Sequence, residues 1–189
     1  GMRAILVRGE PGFGKTAIWR EAALAAETAG VSVFATRCAE AELPIALGGL
    51  CDLIEPAFVE IADELPEPQR RAIAVALGVE DAAPIVPDSL TLPRAVVAVL
   101  RLLAARTPVL LAIDDVQWLD AASGRVLAFA LRRSGALPIG ALVTLFSIGF
   151  GTPAAIGCEG ATVHTSSRSP TFRQRRSHGV PSRRLKIFE

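Results

Sequence analysis

The sequence predicts an α/β fold in which a parallel, doubly wound sheet is flanked by helices and is incomplete at both ends. Short apolar runs of strand-like character alternate along the chain with longer segments of helical periodicity. One of these runs, residues 109–113, is apolar throughout, which is typical of a parallel strand covered on both faces. With 51% hydrophobic and 21% charged residues, the composition is that of a globular domain.

The first part of the chain has the pattern of a β-α-β unit. We expect a short strand at residues 4–8, a Gly-rich loop at 9–14 and a helix at 15–29. Gly30 closes that helix, because glycine readily adopts the left-handed conformation found just beyond helix C-termini. Residues 31–36 alternate β-branched and small side chains and predict the second strand.

The remaining predicted elements are three helices, the buried strand, a capped helix and a last strand. In chain order they lie at residues 45–62, 68–78, 94–105, 109–113, 121–133 and 142–146. Asp120 directly precedes the fifth helix, and an Asp side chain at that position accepts hydrogen bonds from the first N–H groups of a helix.

The most specific motif is a loop that fits the pattern GxxxxGK followed by Ser or Thr: Gly9-Glu10-Pro11-Gly12-Phe13-Gly14-Lys15-Thr16. Its glycines let successive N–H groups turn inward around a phosphate, and the following helix adds its positive N-terminus. We therefore expect these eight residues to bind a nucleotide. Lys15 would neutralise the β- and γ-phosphate oxygens during catalysis, and the Thr16 hydroxyl would ligate Mg²⁺. The alternative is a Gly-rich turn without a ligand.

Two carboxylates, Asp114 and Asp115, follow the buried strand at residues 109–113. In proteins with a phosphate loop of this kind, an apolar strand beside the first strand ends in an Asp that holds Mg²⁺, and a neighbouring acid can orient the attacking water. We therefore expect Asp114 to bind the metal ion. We expect Asp115 to act as the general base that accepts a proton from the attacking water. A solvated strand end or a helix cap is the alternative for both.

Charge and cysteine content exclude several classes of protein. Lys and Arg number 20 against 19 Asp and Glu, so no global excess of charge favours nucleic acid or membrane binding. The three cysteines form no CxxC pair, which argues against a disulfide framework or a zinc site. Residues 134–158 are uncharged but are interrupted by Gly and Pro, so a buried strand followed by a loop is favoured over a membrane helix. We expect a cytoplasmic protein.

The C-terminal residues 148–189 differ in composition from the rest of the chain. Between 160 and 189 there are seven Arg and Lys residues and one acidic residue, and few apolar side chains could anchor the segment to a core. Such a segment buries too little surface to offset the entropy of ordering. We therefore place the domain boundary at 147/148 and expect a disordered basic tail, without aromatic residues spaced for nucleic-acid binding.

Three segments resemble the ATPase domain of the AAA type found in large LuxR-family transcriptional regulators of the MalT-like signal-transduction class. They are the loop at 9–16, the segment from Glu42-Leu43-Pro44 to Leu53-Ile54-Glu55-Pro56, and the string Asp114-Asp115-Val116-Gln117-Trp118-Leu119-Asp120. The resemblance covers about residues 3–146. Family members carry a Gly-Arg-Glu segment some twenty residues before the loop, which is missing here. They also place a polar or basic sensor residue at the end of the fourth strand, where this chain has Phe146 and Ser147.

The resemblance implies an ATP-dependent switch with Mg²⁺ as cofactor. Its partners would be ATP or ADP and other domains or subunits of the regulator, with no direct DNA contact and no membrane contact by this segment. Two alternatives stay open: a nucleotide-binding interaction module that does not hydrolyse ATP, and a small P-loop kinase. A kinase would need a lid over the phosphates, and residues 82–93 offer no clear one.

Overall fold

A computed structural model of the chain describes residues 3–81 and 88–146 and the backbone of 160–165 and 174–175. The strands in these ranges are β1 Arg3–Gly9, β2 Ser32–Arg37, β3 Val109–Asp114, β4 Ile139–Phe146, β5 Gly160–Thr165 and β6 Gln174–Arg175. The α-helices are α1 Lys15–Thr28, α2 Gly48–Ile61, α3 Glu67–Ala76, α4 Thr91–Arg106 and α5 Ala121–Arg133. A short 3₁₀ turn, Val116–Trp118, follows β3.

The strands form one sheet in the order β2-β3-β4-β1-β5-β6. The pairs β2–β3, β3–β4, β4–β1 and β1–β5 are parallel, and the two-residue β6 runs antiparallel to β5. The α/β fold with a parallel sheet and flanking helices is therefore confirmed. Because all parallel strands end at one edge, the carboxyl ends of β1, β3 and β4 lie together at that edge.

The position of β3 differs from the expectation that it lies beside β1. Strand β4 pairs with both, so it separates β3 from β1. An apolar run in the sequence indicates that a strand lies inside the sheet. It does not indicate which strand lies beside it, because every fully buried parallel strand has the same apolar pattern.

Two hydrophobic clusters cover the two faces of the sheet. On one face α1 packs its Trp19 near Leu110, Ala112 and Leu142. On the other face α2, α3, α4 and α5 pack over Leu111 and neighbouring side chains of β3. Successive β3 residues alternate between the clusters, as the two-residue period of a strand requires, and all six residues of β3 are buried.

Most helix boundaries match the predictions to within three residues. The helix α1 ends at Thr28, and Gly30 follows with φ of +81°, which confirms its capping role. The helix α2 begins at Gly48 rather than at residue 45, because Leu47 adopts a left-handed conformation with φ of +68°. Asp120 caps α5 as predicted, accepting a hydrogen bond from the Ser123 N–H at 2.9 Å.

The expected disorder of residues 148–189 does not hold for Gly160–Thr165. This segment pairs with β1 from Ala4 to Gly9 as the parallel strand β5. A physical reason is the edge of β1: with β4 on one side only, the other side would expose a row of unpaired N–H and C=O groups. Apart from β5 and β6, the segment lies outside the described residues.

Candidate functional site

The loop between β1 and α1 owes its shape to two glycines. Gly12 and Gly14 have φ values of +82° and +75°, in the left-handed region. A Cβ atom placed on either would meet nothing within 4 Å, so glycine is required here for backbone conformation and not for space. The loop ends at Lys15, the first residue of α1.

The loop presents N–H groups that have no acceptor among the described residues. Within it, the Phe13 N–H donates to the Glu10 carbonyl oxygen at 3.5 Å. The N–H groups of Gly12, Gly14, Lys15 and Thr16 have no such partner in the described part of the chain. Together with the N-terminus of α1, these donors suit an anion such as a phosphate group.

The Lys15 side chain is held against this same loop. It is 7% exposed, and its Nζ donates a hydrogen bond to the Glu10 carbonyl oxygen at 3.0 Å. A neutral carbonyl is a weaker partner for an ammonium group than a charged phosphate oxygen. The ammonium group is therefore positioned at the loop with a partner that an anion can replace. Thr16, half-buried beside it in the first turn of α1, is at the same end of the helix.

Asp114 ends β3 as a fully buried carboxylate with one oxygen left without a hydrogen bond. Its Oδ1 accepts a hydrogen bond from the Thr144 hydroxyl at 2.5 Å. Its Oδ2 has no hydrogen-bond partner, and the nearest cation described is the Arg37 Nε at 3.6 Å. A buried carboxylate oxygen without a donor is energetically unfavourable, and a bound cation would satisfy it.

Thr144 is a site residue that the sequence reasoning missed. Its hydroxyl also accepts a hydrogen bond from the Asp115 N–H at 2.7 Å, so it joins two consecutive residues of the acidic strand end. Thr144 is fully buried in β4. The signal that could have found it is a lone polar side chain within the apolar run of residues 139–146.

Asp115 leaves the strand in a strained conformation. Its φ of +54° and ψ of +53° lie in the left-handed region, which Asp tolerates better than most residues. The side chain is half-buried, and its Oδ1 accepts a hydrogen bond from Gln117 Nε2 at 3.0 Å. Gln117 in turn accepts one from the Phe146 N–H at 3.4 Å, so β4 positions Asp115 through both Thr144 and Gln117.

The phosphate loop and the acidic strand end lie at the same edge of the sheet with one strand between them. Gly9 pairs with Phe146 of β4, and β4 pairs in turn with β3. Two strand spacings of ~4.8 Å separate β1 from β3 by about 10 Å. That separation leaves room for phosphate groups and a hydrated cation between the loop and the acidic strand end.

The residues at this edge fit a Mg²⁺ ion that is held partly by a nucleotide. Among the described residues, no group of three or more His, Cys, Asp or Glu side chains could hold a metal ion by itself. Mg²⁺ commonly binds one or two protein oxygens and completes its shell with water and phosphate oxygens. The unpartnered Oδ2 of Asp114 and the hydroxyl of Thr16 are oxygens of this kind.

A comparison with protein families gives a match that covers most of the chain. A family model described as AAA ATPase domain matches residues 1–143. The chain belongs to the AAA ATPase domain family. The parallel sheet and the loop at residues 9–16 make it a P-loop AAA domain, and AAA ATPase domains generally bind ATP with Mg²⁺. A comparison with curated proteins gives no match.

Asp120 connects the acidic strand end of this AAA domain to a second helix. Besides capping α5, its Oδ1 accepts a hydrogen bond from the Leu47 N–H at 2.9 Å, and its Oδ2 one from the Gly49 N–H at 3.4 Å. The Ser123 hydroxyl accepts another from the Leu50 N–H at 2.9 Å. The N-termini of α2 and α5 therefore meet at one carboxylate, which fits the positive end of both helix dipoles.

These hydrogen bonds determine the charge state of Asp120. Burial by itself would raise the pKa of its carboxyl, but the hydrogen bonds from Ser123, Leu47 and Gly49 outweigh it and lower the pKa below its ordinary value of 3.8. Asp120 is 4% exposed, so the AAA domain holds a buried charge here that these donors compensate.

Cys38, which follows β2 close to Asp114, is not a reactive group. Its N–H donates a hydrogen bond to the Asp114 carbonyl oxygen at 3.1 Å. Burial, followed by the negative charge of Asp52 and other carboxylates, raises the pKa of its thiol to about 11. The thiol is therefore protonated at neutral pH and is a poor nucleophile and metal ligand.

The helices of the described residues include none whose length and apolar character would let it cross a membrane.

Proposed function

We propose that this AAA domain is an ATP-binding switch that hydrolyses ATP slowly and belongs to a LuxR-type transcriptional regulator. The observation that supports a Mg²⁺-dependent switch best is Asp114, whose buried Oδ2 lacks a hydrogen-bond donor at the same sheet edge as the phosphate loop. The regulator assignment rests on the resemblance of the string at residues 114–120. Other domains or subunits of that regulator would read the nucleotide state.

In this proposal the chain's own groups bind and orient the nucleotide. The N–H groups of the loop donate to phosphate oxygens, and the Lys15 ammonium exchanges the Glu10 carbonyl for a phosphate oxygen. Thr16 and Asp114 supply oxygens for Mg²⁺, which when bound neutralises charge on the β- and γ-phosphates. Asp115 accepts the proton of the water that attacks the γ-phosphate in line.

The position of Asp115 supports slow hydrolysis. Its Oδ1 accepts a hydrogen bond from the Gln117 amide, so one of the lone pairs that could accept a proton from the attacking water is already used unless Gln117 moves. The same observation favours the second candidate, a nucleotide-binding module that does not hydrolyse ATP and whose nucleotide only holds a conformation. Steady ATP turnover by the full chain, measured with Lys15→Ala as the background, separates the two candidates.

We expect Asp114→Asn to remove the Mg²⁺-dependent part of ATP affinity. The amide keeps the shape of the side chain and can still accept from the Thr144 hydroxyl, but it lacks the charge that attracts the cation. ATP affinity measured by titration calorimetry should be nearly the same with Mg²⁺ and with EDTA. A variant that keeps the parent's response to Mg²⁺ would exclude Asp114 as a metal-binding residue.

We expect Asp115→Asn to reduce ATP turnover by about a hundredfold while leaving ATP affinity within about twofold of the parent. Asn tolerates the left-handed conformation at this position as well as Asp does, so the substitution changes chemistry and leaves the backbone intact. Turnover is measured by phosphate release. Equal turnover in the variant and the parent would exclude Asp115 as the general base.

A further inference from the structure

The buried oxygen of Asp114 has one positively charged neighbour among the described residues, Arg37. The Arg37 Nε lies 3.6 Å from Asp114 Oδ2, within ion-pair range but longer than a good hydrogen bond. The two side chains differ in environment, since that of Asp114 is 0% exposed and that of Arg37 is 60% exposed. The contact therefore joins a fixed buried anion to a cation that water can reach.

The backbone fixes this arrangement. Arg37 and Asp114 are paired residues of the parallel strands β2 and β3, so both lie at the carboxyl edge of the sheet with side chains on the same face. The hydrogen bond from the Cys38 N–H to the Asp114 carbonyl oxygen extends the pairing by one step. The pairing therefore places position 37 beside Asp114, within reach of an arginine side chain.

The ion pair with Arg37 offsets part of the free-energy cost of burying the Asp114 carboxylate, but it leaves Oδ2 without a hydrogen bond. A carboxylate buried without a positive partner is strongly disfavoured, and Arg37 lowers that penalty. Because its Nε is too distant for a hydrogen bond, Oδ2 still lacks a donor. An exposed guanidinium that makes no hydrogen bond at this site can leave it at small energetic cost.

We propose that Arg37 is a placeholder cation: it neutralises Asp114 Oδ2 when no metal is bound and gives way to Mg²⁺ when the nucleotide arrives. Arg37 then sets the Mg²⁺ concentration at which the domain binds ATP, since metal and guanidinium compete for one oxygen. The inference rests on the proposed Mg²⁺-dependent nucleotide binding and adds a residue that opposes it.

The test uses Arg37→Ala in the full chain, with Arg101→Ala as the matched control. Arg101 is an exposed arginine on α4 without an ion pair in the described residues. Two quantities are measured: the melting temperature in EDTA, and the Mg²⁺ concentration that gives half-maximal ATP binding. We expect Arg37→Ala to lower the first and to reduce the second about two- to fivefold, the range expected for an ion pair with one exposed partner. The variant Arg37→Lys should resemble the parent.

A less stable metal-free protein together with a lower Mg²⁺ requirement for ATP binding distinguishes a placeholder from a structural residue. If Arg37→Ala lowers the melting temperature equally with EDTA and with Mg²⁺ and ATP, Arg37 is structural and the inference is wrong. Weaker ATP binding at saturating Mg²⁺ would show that Arg37 contacts phosphate, which also overturns it. An unchanged Mg²⁺ requirement overturns this inference alone, whereas a parent protein without Mg²⁺-dependent ATP binding overturns the proposed function as well.

Discussion

Replacing Lys15 by alanine is expected to weaken ATP binding by about ten- to a hundredfold, the effect of losing one charge-assisted hydrogen bond to a phosphate. Among the described residues the ammonium group has no acidic partner, and its hydrogen bond is to the Glu10 carbonyl oxygen. Its loss therefore removes an interaction that the nucleotide uses and little that the free protein needs. Titration of ATP and ADP into the full chain measures the effect.

The control for Lys15→Ala is Arg20→Ala, which removes an exposed cation from the same helix without touching the loop. Arg20→Ala should bind ATP as the parent does. The melting temperature of Arg20→Ala should lie within about 2 °C of the parent, because that side chain is exposed. The melting temperature of Lys15→Ala without nucleotide measures separately what the loss of its buried side chain costs the fold. If Lys15→Ala binds ATP as tightly as the parent, the loop at residues 9–16 is not a phosphate site.

Replacing Asp120 by alanine is expected to lower the free energy of unfolding by about 2–4 kcal/mol. The carboxylate accepts hydrogen bonds from the N–H groups of Ser123, Leu47 and Gly49. The Ser123 N–H would lose its acceptor in a buried environment, and the other two in a partly buried one. Asp120→Asn should cost about 1 kcal/mol, since the amide keeps one acceptor but loses the charge at two helix N-termini. Denaturant unfolding followed by circular dichroism measures both.

The pH dependence of this difference checks its electrostatic origin. The folded pKa of Asp120 is lowered, so on acidification the unfolded chain takes up the proton first. The stabilisation is fully present above the ordinary pKa of 3.8 and is lost as the pH falls through the lower folded pKa. The gap between parent and Asp120→Ala should therefore be largest above about pH 5 and narrow below about pH 4. Asp63→Ala, which removes an exposed carboxylate, should show neither effect.

Local sequence patterns predict the elements from β1 to β4 and the phosphate loop. Gly12 and Gly14 are required by backbone angles that other residues rarely adopt, so the loop can be read from residue types alone. Asp120 was likewise recognised as the cap of α5. Its second role at α2 was not, because the hydrogen bond to Leu47 joins residues 73 positions apart in the chain. Such contacts leave no local pattern.

By itself, the sequence determined which segments from β1 to β4 are strands and helices and which residues form the loop and the acidic strand end, but it did not predict β5. Hydrophobic periodicity and the positions of glycines are local properties of the chain, so they can be recognised without knowing the fold. Only the tertiary structure decided the order of strands, and with it the neighbours of Asp114. Strand β4 lies between β1 and β3, so Thr144 binds one carboxylate oxygen, and the pairing of β2 with β3 places Arg37 near the other. Strand order depends on how helices pack across the sheet, and that packing couples residues far apart in the chain.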